Sequence, residues 1–90
     1  LTLMKEAYEK NIIVVAAAGN NNSDSGFYPA TYDEYVIGVG SVDKDGNKMP
    51  KSNYGSWVDV VADGYYIWSS LPNQGYGYKS GTSQAAPFVA

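Results

Sequence analysis

Leu1, Met4, Ala7 and Tyr8 recur at helical spacing, with Lys5, Glu6, Glu9 and Lys10 on the opposite side. This predicts an amphipathic helix over residues 1–10. Asn11 is a suitable stop residue for it. Ile12 to Ala18 follows as an unbroken run of β-branched and small apolar residues, which predicts a strand buried on both faces. A helix leading into a buried strand is half of a crossover unit. The expected fold class is therefore α/β, a parallel β-sheet with helices on both faces.

Gly19 to Gly26 is a polar stretch of turn-forming residues, and Phe27 to Glu34 is aromatic and irregular around Pro29. Tyr35 to Val42 predicts a second buried strand. Gly38 and Gly40 inside it suggest close approach of another backbone. Asp43 to Asn47 predicts a turn centred on Asp-Gly. Val58 to Ala62 and Tyr65 to Ser70 read as two short strands joined as a hairpin through Asp63-Gly64. Leu71 to Ser80 reads as a loop. Thr82 to Ala90 predicts a helix, in which Pro87 suits only an early turn. No internal repeat is present.

Composition narrows the chemistry. The chain has 90 residues, enough for one domain at most. Six lysines, no arginine and nine acidic residues give a net charge of −3, so no basic patch for nucleic acid is expected. Cysteine is absent, which excludes a disulfide scaffold, a thiolate nucleophile and a cysteine-ligated zinc site. Histidine is absent too, so any imidazole base must come from other polypeptide. The longest apolar run, Ile12 to Ala18, is far too short to span a bilayer, and no signal peptide is visible at Leu1.

Two segments carry candidate chemistry. Ser83 stands just inside a predicted helix start, where free N–H groups and the helix dipole favour the negative charge that forms when a serine attacks a carbonyl. The plain alternative is that Thr82 or Ser83 caps the helix. Asn20 follows Ala16-Ala17-Ala18-Gly19 at the end of a predicted strand, where its amide could donate to an oxyanion. The plain alternative is an asparagine in a turn. The two lie 63 positions apart, and both belong at the carboxyl edge of a parallel sheet, where ligands bind.

Taken together, these segments resemble the subtilisin-like serine proteases. Ala17-Ala18-Gly19-Asn20 looks like the family's oxyanion-hole strand. Gly81-Thr82-Ser83-Gln84-Ala85-Ala86-Pro87-Phe88-Val89-Ala90 looks like its box around the nucleophile. Tyr28-Pro29-Ala30, the strand Val36 to Val42 with Asp43, and Gly64 to Leu71 resemble intervening family segments in order. The resemblance covers residues 1–90 as the C-terminal part of a catalytic domain. It implies that Ser83 is the acylated nucleophile. The Asn20 side chain and the Ser83 amide would hold the oxyanion, with Thr82 supporting that site. Ala17 and Gly19 would line one wall of the pocket for the residue before the scissile bond. Gln84 and Phe88 depart from the commonest family residues, Met and His. Phe27 stands where the family often carries a small residue near the pocket floor.

The same resemblance implies a serine endopeptidase acting on a peptide or protein substrate. The catalytic Asp and His are then expected upstream of Leu1, in the remainder of the catalytic domain, and the 90-residue chain alone is expected to be inactive. None of Asp24, Asp33, Asp43, Asp45, Asp59 or Asp63 matches the family's catalytic position, and all six read as solvated loop or turn residues. No cofactor is required. The resemblance allows a structural calcium in the parent protein, and a weaker cation site through backbone carbonyls after the tyrosine-proline segment, to which Ala30 and Tyr32 would contribute; no side-chain metal ligand is expected. Family habit implies secretion to the extracellular space. The alternative is a non-catalytic, protease-like binding domain.

Other motifs carry less. Asp43 to Asn47 lacks the glycine and glutamate spacing of an EF-hand. Asn21-Asn22-Ser23 is formally a glycosylation acceptor. Tyr65, Tyr66, Trp68, Tyr76 and Tyr78 could form a binding surface, but half-exposed strands account for them. Gly81-Thr82-Ser83 also fits part of the α/β-hydrolase elbow. Ala85 replaces its last glycine, and Gly75 to Ser80 is not read as the strand that elbow requires.

Overall fold

A computed structural model describes residues 2–90, and for Gln74 its backbone alone. The predicted first helix is present as α1, Thr2–Glu9, while Leu1 lies outside the described residues. Asn11 ends it at φ 61°, and the Asn11 and Ile12 amides bond back to the Tyr8 and Ala7 carbonyls at 3.0 and 2.9 Å. Asparagine here takes the left-handed capping position that glycine usually fills.

Three strands follow in one parallel sheet: β1 (Val14–Ala17), β2 (Val36–Val42) and β3 (Val60–Asp63), in that spatial order. Val14 lies opposite Val36, and Val39 opposite Val60. A separate antiparallel ribbon pairs β4 (Ile67–Leu71) with β5 (Gly75–Lys79). Helix α2, Thr82–Val89, comes last and packs on β1, β2 and β3. The expected parallel sheet with helices is therefore the fold.

Residues three apart on a strand face opposite ways, so Val36 and Val39 divide the two faces of β2. Val36 joins Ala16, Ala18, Ala30 and Trp57 in one buried cluster, with Met4 of α1 packed against it. Val39 is fully buried on the other face, and Thr82 and Ala85 are the buried residues of α2. Burying one valine side chain contributes about 1.5–3 kcal/mol, so Val39 is a strong anchor for this layer. Gly38 meets its expectation: a Cβ there would stand 2.8 Å from the Trp57 carbonyl oxygen.

Several expectations fail for tertiary reasons. The strand read over Ile12 to Ala18 begins only at Val14, and Ile13 is 79% exposed. The chain is still completing the α1 cap at Ile12, and the pairing with β2 starts at Val14. The hairpin through Asp63-Gly64 does not exist. Gly64 continues beside β2, donating its amide to the Val42 carbonyl at 3.0 Å, and β3 stays parallel. The partner of β4 is β5, inside the segment read as a loop. Glycines at 75 and 77 hide the alternation of Tyr76 and Tyr78. Gly77 lies over the Leu71 side chain, whose Cδ1 would stand 2.6 Å from a Cβ there.

Pro87 also departs from expectation, standing inside α2 beyond its first turn. Its ring removes the amide that would bond the Ser83 carbonyl. The six aspartates are not all free in solvent. Asp43 Oδ1 accepts the Asp45 and Asn47 amides at 2.9 and 3.0 Å, Asp59 Oδ2 accepts the Gly38 amide at 2.9 Å, and Asp63 Oδ1 accepts the Tyr65 amide at 3.0 Å. Each closes a turn or ties one segment to another.

Candidate active site

Strands β1 and β3 run parallel, so their carboxyl ends lie on one edge of the sheet, and the start of α2 is fastened to that edge. The Gly81 amide donates to the Gly64 carbonyl at 2.8 Å, just beyond β3. Gly81 adopts φ 143°, a region open to glycine, and a Cβ there would stand 3.2 Å from Gln84 Oε1 and 3.3 Å from Asn20 Oδ1. The chain therefore turns into α2 directly against the loop that follows β1.

Two reciprocal hydrogen bonds close this junction. The Gly19 amide donates to Thr82 Oγ1 at 3.0 Å, and the Thr82 amide donates to Asn20 Oδ1 at 2.9 Å. Thr82 is fully buried, so its hydroxyl is committed to Gly19. Neither Thr82 nor Ser83 caps its own helix. The capping residue is Gly81, without a side-chain bond, and Asn20 supplies the cap from the far end of the chain.

The arrangement brings together Gly19, Asn20, Thr82 and Ser83. Ala17 stands further back, half-buried at the last position of β1. Ser83 is exposed at the second position of α2. Of the first helix amides, that of Thr82 goes to Asn20, and those of Gln84 and Ala85 reach the Gly81 carbonyl at 3.2 and 3.3 Å. Among the described residues this leaves the Ser83 amide as the free donor of that turn. With Oδ1 of Asn20 held by Thr82, the Nδ2 group is the end of that side chain left to donate elsewhere.

Two cavities flank this point. One of about 300 Å³ is lined by Ser83, Gln84, Pro87 and Phe88 with Ile67 to Ser69 of β4. The other, about 540 Å³, is lined by Asn20, Ser41, Ser80, Gly81 and residues 49–52. A third, of about 480 Å³, lies apart, beside Tyr8, Asp33 and Asp59. Asp59 next to Asp33 holds the Asp33 carboxyl above the usual aspartate range, first through the hydrogen bond the pair can share and then through its charge.

Two further side chains matter here. The Phe27 ring covers Gly19, with Cγ 2.8 Å from where a Cβ would stand, so the space beside Gly19 is filled by an aromatic ring. Asn53 escaped the sequence reading altogether. It is 3% exposed and bonds to the loop after β1. Its only sequence signal is the general habit of asparagine to hold backbone amides.

Other sequence readings settle against the same geometry. Of the five aromatics, Trp68, Tyr76 and Tyr78 stand on the ribbon and Tyr65 and Tyr66 just before it, and all five are exposed. The segment before Ser80 is a strand after all, so that ground against a hydrolase elbow falls. What separates the two is that β5 pairs antiparallel in a ribbon outside the parallel sheet, and that Ala85 replaces the elbow's glycine. The Tyr32 carbonyl, one of the two oxygens named for a main-chain cation site, accepts the Tyr35 and Val36 amides, both at 3.0 Å. No group of three or more His, Cys, Asp or Glu capable of holding a metal occurs among the described residues.

Known proteins share this sequence pattern and fold. A family model described as the subtilase family, peptidase S8, matches residues 2–90. The thermophilic serine proteinase of Bacillus sp. (strain AK1) is 54% identical over 84 residues, which is 93% of this chain and 21% of that protein. Thermitase of Thermoactinomyces vulgaris is 48% identical over 84 residues, covering 93% of this chain and 30% of thermitase. Among solved structures, the prenylagaramide maturation protease PagA superposes with a TM-score of 0.90 at 32% identity, over 98% of this chain and 32% of that one. The chain thus spans about a fifth to a third of the length of these relatives. With the subtilase model matching residues 2–90 and serine proteases matching nearly the whole of its length, the chain belongs to the subtilase family.

Proposed function

We propose that this chain is the C-terminal part of a serine endopeptidase catalytic domain, with Ser83 as nucleophile. The observation that carries this is the hydrogen bond from the Thr82 amide to Asn20 Oδ1. It holds the Asn20 amide group beside the helix turn that bears Ser83. In the reaction, Ser83 Oγ attacks the carbonyl carbon of a peptide bond and its proton passes to a base. The carbonyl oxygen gains the charge and accepts from Asn20 Nδ2 and the Ser83 amide. Collapse expels the amine with that proton and leaves an acyl-enzyme, which water hydrolyses.

Thr82 supports the oxyanion donors by fixing Gly19 and Asn20. Ala17 and Gly19 line one wall of the pocket for the residue before the scissile bond. The base and its acid partner come from the remainder of the domain, because this chain has no histidine. Alone it is therefore inactive: a neutral serine hydroxyl is a weak nucleophile without a neighbouring base. No step passes through a metal or an organic cofactor. The substrate is a peptide or protein, and the parent protein is secreted. No helix among the described residues is long and apolar enough to cross a membrane.

A fluorophosphonate probe tests this in the intact, mature protein. Labelling at Ser83, abolished by Ser83→Ala, is the expected result. A folded protein that takes up no label at Ser83 overturns it in favour of a protease-like domain used for binding.

A further inference from the structure

Asn53 lies in the segment between β2 and β3, far in sequence from the candidate site. Its carboxamide nevertheless makes three bonds to the loop that carries Asn20. Nδ2 donates to the Ala18 carbonyl at 2.9 Å, and Oδ1 accepts the Asn21 amide at 2.9 Å and the Ser23 amide at 3.0 Å. Its own amide donates to the Gly19 carbonyl at 2.9 Å. The loop is thus gripped on both sides of Asn20, at positions 18, 19, 21 and 23, while Asn53 makes no bond to the Asn20 side chain.

The fit is close. A Cβ on Gly19 would stand 2.6 Å from Asn53 Nδ2. The residue is 3% exposed, so water does not readily replace its bonds. Thr82 holds the same loop from the opposite side, through the Gly19 amide. Gly19 therefore has its N–H fixed by the Thr82 hydroxyl and its C=O fixed by the Asn53 main-chain amide, while the Asn53 carboxamide fixes the residues on either side, Ala18, Asn21 and Ser23.

We infer that Asn53 is a positioning residue for catalysis: its carboxamide, through Ala18, Asn21 and Ser23, sets the loop conformation that aims the Asn20 amide at the developing oxyanion. This rests on the proposed role of Asn20. Oxyanion donors act through placement before the reaction, and a misplacement of about 1 Å can cost on the order of 100-fold in rate. Loss of Asn53 should therefore act on the chemical step and leave substrate affinity largely alone.

The test is a double-mutant cycle in the intact protein, reading kcat and KM for Asn53→Ala, Asn20→Ala and the pair. Asn53→Ala is expected to lower kcat by about 10- to 100-fold, with KM changed less than about twofold. In the Asn20→Ala background the same change should cost less than about twofold, because the group it positions is gone. A full, additive loss in that background, or a loss carried by KM, overturns the role. If Asn20→Ala itself leaves kcat unchanged, the oxyanion role of Asn20 falls and this inference with it. If Asn20→Ala is damaging and Asn53→Ala harmless, only the inference falls. Should Asn53→Ala fail to fold, Asn53→Asp enters the same cycle under the same criteria. It keeps an acceptor for Asn21 and Ser23 and removes the donor to Ala18.

Discussion

The Gly81 amide donates to the Gly64 carbonyl at 2.8 Å, and this bond ties the start of α2 to the end of β3. Contact of that closeness is open only to glycine at position 64. A Cβ there would stand 2.5 Å from the Gly81 carbonyl oxygen and 2.7 Å from Ser41 Cβ. Both neighbours are backbone or rigidly attached to it, so neither can move alone.

Gly64→Ala is therefore expected to displace the first turn of α2. Overpacking of this kind costs about 1–3 kcal/mol, and peptidase activity should fall with it because Ser83 rides on that turn. Gly75→Ala is the matched control, since a Cβ there has nothing within 4 Å and its φ is −97°. Denaturant unfolding of both variants in the intact protein checks the contrast. Equal stabilities would show that the junction yields easily.

Thr82 is the other element of that junction. Thr82→Val keeps the shape but removes the acceptor for the buried Gly19 amide. An orphaned buried N–H costs about 1–3 kcal/mol. Thr82→Ser retains the hydroxyl and should recover much of that loss. Urea midpoints for the two variants decide the matter, and a valine variant as stable as the parent would show the bond to be dispensable.

Asp33 yields a pH dependence. Asp59 raises the Asp33 carboxyl above its ordinary value, by the hydrogen bond the two can share and by like charge. An acid raised on folding binds its proton more tightly folded than unfolded. Its favourable contribution is thus present in acid and is lost as pH rises through the folded value. At neutral pH the two carboxylates repel, so Asp33→Asn should raise Tm there, and the gain should vanish below the ordinary carboxylate range. A Tm difference independent of pH would rule out the charge explanation.

Much of this protein is legible from local pattern alone. The helical spacing of Met4, Ala7 and Tyr8, the apolar run ending at Ala18, and the asparagine stop at position 11 each depend on neighbours a few residues away. Their physics is therefore present in a short window. The same holds for the Gly81-Thr82-Ser83 box and the Ala-Ala-Gly-Asn segment, whose ordered spacing identifies the family without coordinates. What the window cannot hold is pairing. Asp63-Gly64 has the local chemistry of a hairpin turn, yet Gly64 is spent on close contact with Gly81. The Gly75–Lys79 strand is masked by its glycines until Leu71 is seen beneath Gly77. Asn53 has no local signature because its partners lie 30 and more positions away. Only the folded chain decides which backbone groups a buried asparagine satisfies, because burial and hydrogen-bond geometry are set by contacts between distant segments.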